Sequence, residues 1–222
     1  MLKKIIIGTV IVVVLAVAII FIIPWGEYES NIEKSNLEET IDYNNEEVNS
    51  SPSLDTLLGT YYTSTKDGVA EILFHTDGLK TTKGGFTEFE ITFEVPEDFK
   101  QSTLSVKIVT ESLNTGNSTR DEHLREEGFF HVEKYPEINF ISSSVEMGDT
   151  SYVAKGELTL NGTTKSLDVP FLHLGSGGET TAKFEAFQGS FEIDRTAYGQ
   201  DEETGVGNIV KVNFYCELKL QQ

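Results

Sequence analysis

From about residue 55 to the carboxyl terminus, apolar and polar side chains alternate in short runs separated by turn residues, and no apolar helix longer than two turns fits the sequence. A period of two puts successive residues on opposite faces of a strand, so 55–222 is predicted to be an all-β domain. The pattern is cleanest in the last run. There Val212, Phe214, Cys216, Leu218 and Leu220 alternate with Lys211, Asn213, Tyr215, Glu217 and Lys219, which predicts one buried and one wet face. Similar runs begin near Val69 to Thr76 and continue through Phe89 to Val95, Leu104 to Ile108, and Ile138 to Phe140. Tyr152 to Leu160 runs into Asn161-Gly162, whose tolerance of positive φ predicts a tight hairpin with a return strand from Lys165 to Leu174. Phe184 and Ala186 stand at opposite parity to Phe191 and Ile193, which predicts a bulge at Gly189. Eight antiparallel strands in sequence close into an up-and-down barrel, although a two-sheet sandwich satisfies the same alternation.

Asn114 to Gly128 breaks the alternation. Ser118 is predicted as the N-cap of a two-turn helix, Gly128 as its stop, and Asp121 with Arg125 as an i,i+4 pair. Two turns do not persist alone, so this helix is expected to dock over a barrel mouth.

A different pattern occupies the amino terminus. Ile5 to Ile23 carries no charge, and as a helix its 19 residues would be about 28 Å long, close to the thickness of the hydrocarbon core of a bilayer. The one Ala-x-Ala, Ala16-Val17-Ala18, lies inside the run, so cleavage there would leave a greasy terminus. Residues 1–23 are therefore expected to be an uncleaved single transmembrane helix. Lys3 and Lys4 would stay in the cytoplasm, and everything beyond Pro24 would lie in the periplasm or otherwise outside the cytoplasm. Residues 24–54 hold eight carboxylates against Lys34 alone, with few large apolar residues, and read as an acidic, self-repelling spacer. The domain order expected is anchor 1–23, spacer 24–54 and barrel 55–222.

Charge narrows the functions. Among 222 residues, 36 Asp and Glu against 17 Lys and Arg give a net charge of -19, which disfavours nucleic acid as a partner. One cysteine and four scattered histidines leave no metal or thiol redox pattern, and no nucleophile and base stand at a catalytic spacing. A binding protein without cofactor is expected rather than an enzyme. By phase, Phe89, Ile91, Phe93, Val106, Ile108, Phe140, Leu158, Phe171, Phe184, Phe191 and Phe214 supply inward apolar surface, whether it packs on itself or lines a cavity. Arg120, Arg125 and Arg195 are candidates for the polar head of a ligand at a mouth; they are equally placed to pair with Asp121, Asp194 or other carboxylates.

Several stretches carry a family resemblance. Ser112 to Thr115, Arg120 to Arg125, Phe129-Phe130 and Lys134-Tyr135-Pro136 resemble the central signature of the YceI-like family. Gly156 to Lys165 is similar to its hairpin motif, and Phe191 to Gly199 to a later strand-end motif, over roughly residues 57 to 220. The family comprises bacterial exported proteins with an elongated lipocalin-like barrel that binds polyisoprenoid lipids. The resemblance implies an open tube and an isoprenoid ligand, a quinone or polyprenyl lipid, without identifying protein partners. It also adds His75 as a head-group candidate, because the family's first strand usually ends in histidine. Here, however, Ala70, Ile72 and Phe74 sit on the parity opposite to His75. A membrane-tethered lipid-binding barrel is the leading expectation; a ligand-free barrel serving as an interaction or stress-related module is the alternative.

Overall fold

Among the described residues eleven strand segments follow one another, every paired neighbour antiparallel and all in one sheet. In the computed structural model, residues 32, 53–54, 57–66, 68–78, 81–148, 151–178, 183–202 and 205–221 are described. The expected anchor at 1–23 and nearly all of the acidic spacer lie outside them. Among the described residues no helix is long and apolar enough to cross a membrane.

The strands are β1 (Gly59–Ser64), β2 (Ala70–Thr76), β3 (Thr82–Phe86), β4 (Phe89–Val95), β5 (Thr103–Val109), β6 (Leu113–Asn114), β7 (Glu137–Met147), β8 (Tyr152–Leu160), β9 (Thr163–Gly177), β10 (Phe184–Asp194) and β11 (Ile209–Leu220). Their register reduces eleven segments to eight positions around a ring. β1 and β2 lie end to end along β11, with Tyr61 opposite Leu220 and Ala70 opposite Cys216. On their other side β1 pairs with β4 and β2 with β3, while β5 and β6 continue the next position beside β4 and β3. The β1–β11 pairing closes an eight-stranded barrel and leaves its sheet without a free edge at that seam. Closure decides against the sandwich.

β1 and β3 escaped the periodicity reading for physical reasons. Gly59-Thr60-Tyr61-Tyr62-Thr63-Ser64 has no aliphatic alternation, and Gly84-Gly85 interrupts β3. At the Asn161-Gly162 turn both residues take positive φ, 48° and 70°, and Leu160 faces Thr163 across the hairpin as expected.

The bulge is displaced from its expected place. Gly189 pairs regularly with Phe171 and Phe214, and β10 keeps one parity throughout. The irregularity lies at Ala186/Phe187, where β9 contributes an extra residue between His173 and Gly175. Phe184 and Ala186 therefore point outward. Gly189 serves a different end: a Cβ there would meet the Pro170 carbonyl at 2.4 Å and the Phe214 ring at 2.5 Å.

The helix, α1 (Ser118–Leu124), starts one residue earlier than expected. Asn117 is its N-cap, its side chain accepting from the Arg120 N–H, so Ser118 is the first helical residue. The expected Asp121–Arg125 pair gives way to tertiary partners. Asp121 accepts from the Thr115 N–H and hydroxyl at 2.9 and 2.5 Å, and Arg125 donates to the Glu111 and Leu113 carbonyls.

Two further differences concern the outer surface. The supposedly wet face of β11 is buried at Tyr215 and Glu217, both 3% exposed, where Leu174, Phe184, Ala186 and Tyr215 form a second apolar cluster with Ile32 packed on it. Leu54, counted with the spacer by composition, is fully buried, and its N–H donates to the Tyr152 hydroxyl at 2.9 Å. The packed body thus includes Leu54, and Ile32 lies against its outside.

Candidate functional site

Inward positions of all eight strands line an apolar cavity of about 170 Å³ that runs along the barrel interior. Cavities of this order with such walls stay dry and take up apolar guests. One end is sealed by aromatics. Phe171 stacks on Tyr152 with ring centres 5.6 Å apart, Phe93 lies 5.9 Å from Phe187, and Phe99 closes on Tyr152 at 5.7 Å. The other end is roofed by α1 and the chain after it: Leu124, Phe129 and Phe130 line the cavity, and Phe130 packs edge-on against Phe86 at 5.8 Å. The helix caps a mouth, as its shortness required.

Of the apolar residues expected to face inward, Ile91, Phe93, Val106, Ile108, Phe140, Leu158, Phe171, Phe191 and Phe214 line this cavity. Phe89 and Phe184 do not. Phe89 has inward parity and is fully packed in the core cluster beside the cavity, while Phe184 points outward into the second cluster because β10 has no bulge at Gly189. Cys216 lines the cavity, and burial, with the Glu217 charge adding, pushes its thiol up to about 12.

The candidate head-group residues separate as well. Arg195 alone among them reaches the cavity. It is 2% exposed, and all three guanidinium nitrogens are engaged: Nε donates to the Gly207 carbonyl at 3.0 Å, Nη1 to Asp201 at 2.6 Å and Nη2 to Val206 at 2.9 Å. Its plane lies 5.8 Å over Phe129. Desolvation lowers its pKa, opposed by the charges of Asp194 and Asp201. The side chain ties Asp201, Val206 and Gly207 together at the mouth.

Arg120 is a buried residue of α1, donating to the Thr115 hydroxyl and carbonyl at 2.8 Å each. Arg125 joins the Glu111 carboxylate at 3.1 Å on the outside. His75 has outward parity and sits 3.4 Å from Asp77, away from the cavity. These three are corrected from ligand contacts to structural or surface groups.

Sequence reasoning missed other wall residues and one buried polar group. Phe187 and Val210 were legible from alternation once the register of β10 and β11 was known. Gln200 and Thr82, at the Arg195 end, gave no signal. Behind the aromatic floor His173 Nε2 lies 2.8 Å from Glu185, which also accepts from Ser176 at 2.9 Å. His173 shares parity with Val169 and Phe171, so its inward position was readable. The trio resembles a catalytic set only in composition: the Ser176 hydroxyl donates its hydrogen bond to the Glu185 carboxylate rather than to His173, and His173 is 3% exposed with its ring stacked on Phe187. Tyr61 has its pKa raised by burial and then by the Glu185 charge.

A closed eight-stranded barrel with a dry interior and a helix over one mouth defines the class of small single-barrel binding folds. The model of the YceI-like domain matches residues 39–218, and the chain belongs to that family. A UPF0312 protein of Shewanella denitrificans is 30% identical over 163 residues, covering 71% of this chain and 85% of its own. A UPF0312 protein of Photorhabdus laumondii is 36% identical over 118 residues, 52% of this chain and 62% of that protein, and the YceI protein of Escherichia coli is 36% identical over 114 residues, 49% and 60%. The chain thus spans about three fifths of the length of some of these relatives. Among solved structures, BcnA of Burkholderia cenocepacia superposes with a TM-score of 0.58 at 20% identity, covering 67% of this chain and 95% of BcnA. A polyisoprenoid binding domain from Saccharophagus degradans, implicated in plant cell wall breakdown, superposes at 0.56 with 14% identity, covering 74% of this chain and all of that domain.

Proposed function

We propose that this protein is a membrane-tethered, extracytoplasmic carrier or reservoir that holds an isoprenoid lipid, a quinone or polyprenyl compound, in its barrel interior. The apolar cavity carries the reading: its wall is built almost wholly of Phe, Ile, Leu and Val side chains, with Thr76, Thr82, Arg195 and Gln200 as the polar exceptions, all at the roofed end. That arrangement suits a long apolar tail with a polar head at one mouth. Burying ten methylene equivalents contributes about 8 kcal/mol before the costs of ordering, so no catalytic chemistry or cofactor is needed to retain such a guest. The Saccharophagus domain of like fold, named for polyisoprenoid binding, supports the ligand class. The uncharged run Ile5 to Ile23 behind Lys3 and Lys4 supports the tether.

Native mass spectrometry of the full chain purified from membranes, followed by organic extraction, tests the ligand. A copurifying isoprenoid is expected; a barrel that is empty and stays empty when offered isoprenoids favours the interaction-module alternative. Tether and side are tested in the same preparation. The intact chain should sediment with membranes and be digested by protease added from the extracytoplasmic side, whereas a mature terminus after Ala18 or a protected barrel would remove the anchor.

A further inference from the structure

Both ends of the cavity are covered, by the aromatic floor and by the roof that α1 begins, so a guest needs another way in. The wall between β9 and β10 supplies one. These strands pair from Phe184 opposite Gly177 to Gly189 opposite Phe171, and there the ladder ends. Beyond it, towards the roof, Thr163 to Pro170 pair with β8 alone and Ser190 to Asp194 with β11 alone. That part of the ring consists of two facing strand edges. The residues explain why they part. Pro170 has no N–H to give to β10. Continued in the same register, the ladder would set Asp168 directly opposite Glu192 on the outer face, where like charges repel. Each carboxylate instead has a lysine on its other side: Lys155 stands opposite Asp168 on β8, and Lys211 on β11 lies 3.8 Å from Glu192. Lys165 shares a face with Leu167 and Val169 yet is exposed, and Pro and Lys are the residues that keep an open strand edge from recruiting another chain.

The parted edges border the cavity directly. Leu167 from β9 and Phe191 and Ile193 from β10 line it and are only partly buried. On the roof side the gap ends at Gly128 and Phe129, which are tied to both rims: the Gly128 carbonyl accepts from the Asp201 N–H at 3.0 Å, and the Phe129 carbonyl accepts from the Asn161 side chain. On the floor side it ends at Gly189. There an outer groove of about 450 Å³ begins, walled by Pro170, Leu172, Gln188, Ser190, Asn213 and Tyr215. Phe171 and Phe214 border both this groove and the cavity.

We infer that the unpaired stretch between β9 and β10 is a lateral entrance, through which an apolar chain passes sideways into the cavity while floor and roof stay shut. Size points the same way. About 150 Å³ of dry apolar space holds a benzene, so a cavity of about 170 Å³ encloses only the first part of an isoprenoid of several units. A slot in the wall lets the rest of the chain lie outside, along the groove below Gly189.

The inference rests on the cavity being a lipid site, and two disulfide locks separate the two claims. The side lock, Asp168→Cys with Glu192→Cys, joins the parted edges at positions that the continued register would set face to face. The roof lock, Gly128→Cys with Asp201→Cys, holds the roof down; a Cβ on Gly128 lies 4.0 Å from the Asp201 Cβ, within the span of a disulfide. Each pair is introduced into the full-length chain in detergent, and uptake of tritiated geranylgeraniol is timed after oxidation and again after reduction. The oxidised side lock is expected to slow uptake by about tenfold or more and reduction to restore it, whereas the oxidised roof lock leaves uptake within about twofold of the unlocked chain. A side lock without effect, or a roof lock that slows uptake as much, overturns the lateral entrance and leaves the lipid site standing. An unlocked chain that takes up no probe removes the lipid site and the inference with it. Should the side cysteines not join, the triple variant Pro170→Val, Asp168→Thr, Glu192→Thr carries the comparison, since it supplies the missing N–H and removes the repulsion. It too is expected to slow uptake, and an unchanged rate in that variant overturns the inference.

Discussion

Cys216 shows how much one residue's phase decides. Its alternation with Phe214 and Leu218 put it inside, and it lines the cavity with its thiol held neutral up to about 12 by burial. The folded protein therefore keeps a proton that the unfolded chain releases near the ordinary value of 9.0. Stability from this site is complete below pH 9 and is lost as pH rises from 9 towards 12. Tyr61 and Tyr198, both raised above 10.0 by burial, add to the loss from the same side. Urea midpoints at pH 8, 9.5 and 10.5 should fall for the native protein and fall less for Cys216→Ala; parallel curves would mean that the thiol is not buried in solution. At pH 8 Cys216 should also react with thiol reagents far more slowly than in the unfolded chain. Arg195 makes the complementary point. An arginine near a mouth reads from sequence as a ligand for anions, but charge alone does not reveal that its donors are spent on the carbonyls of residues six to twelve positions away.

At the scale of elements, β10 is the instructive case. Two apolar pairs of opposite parity were reconciled in sequence by assuming that all four residues face inward, which forced a bulge at Gly189. The strand instead lets Phe184 and Ala186 face out, because a second apolar cluster with Leu174, Tyr215 and Ile32 receives them. Periodicity reports which residues share a face; it does not report that the outer face is covered too. The same limit hid β1 and β3, whose Tyr, Thr and Gly residues earn their places by cross-strand pairing rather than by alternation. Where turn chemistry is local the sequence was sufficient, as at Asn161-Gly162, and the helix was placed to within one residue because its caps are local. Gly189 has a role that only packing reveals. A methyl group there would meet the Phe214 ring and the Pro170 carbonyl, so Gly189→Ala should lower stability by about 1 to 3 kcal/mol in urea unfolding and reduce lipid uptake as Phe214 is pushed into the cavity. A neutral substitution would show that the β9–β10–β11 surface relaxes more freely than its register implies.

For the whole molecule, the question is whether the ring encloses a site or merely a loosely filled core. The inward residues of β4, β5, β7, β8 and β11 are the same in either case, which is why the sequence left the choice open and the family resemblance was needed to tip it. A cavity of about 170 Å³ separates the two through volume. Phe140, between Val106 on β5 and Leu158 on β8, and Phe214 on β11 both lie on its wall. Replacing either with Trp adds ring atoms where there is free space, so the fold should absorb them while the guest loses room. In a filled core the same atoms strain the barrel, typically by about 1 to 3 kcal/mol. Measured on lipid-free protein, Phe140→Trp and Phe214→Trp should leave the melting temperature nearly unchanged or raise it, and each should at least halve the isoprenoid retained after purification from membranes. A fall in melting temperature at both positions with lipid content unaltered would place the guest elsewhere and return the barrel interior to an ordinary core. Phe89 supplies the control, being fully packed and off the cavity wall: Phe89→Trp is expected to destabilise through overpacking even in the lipid-free state. The contrast between wall and core positions, rather than any single variant, tells an occupied tube from a packed one.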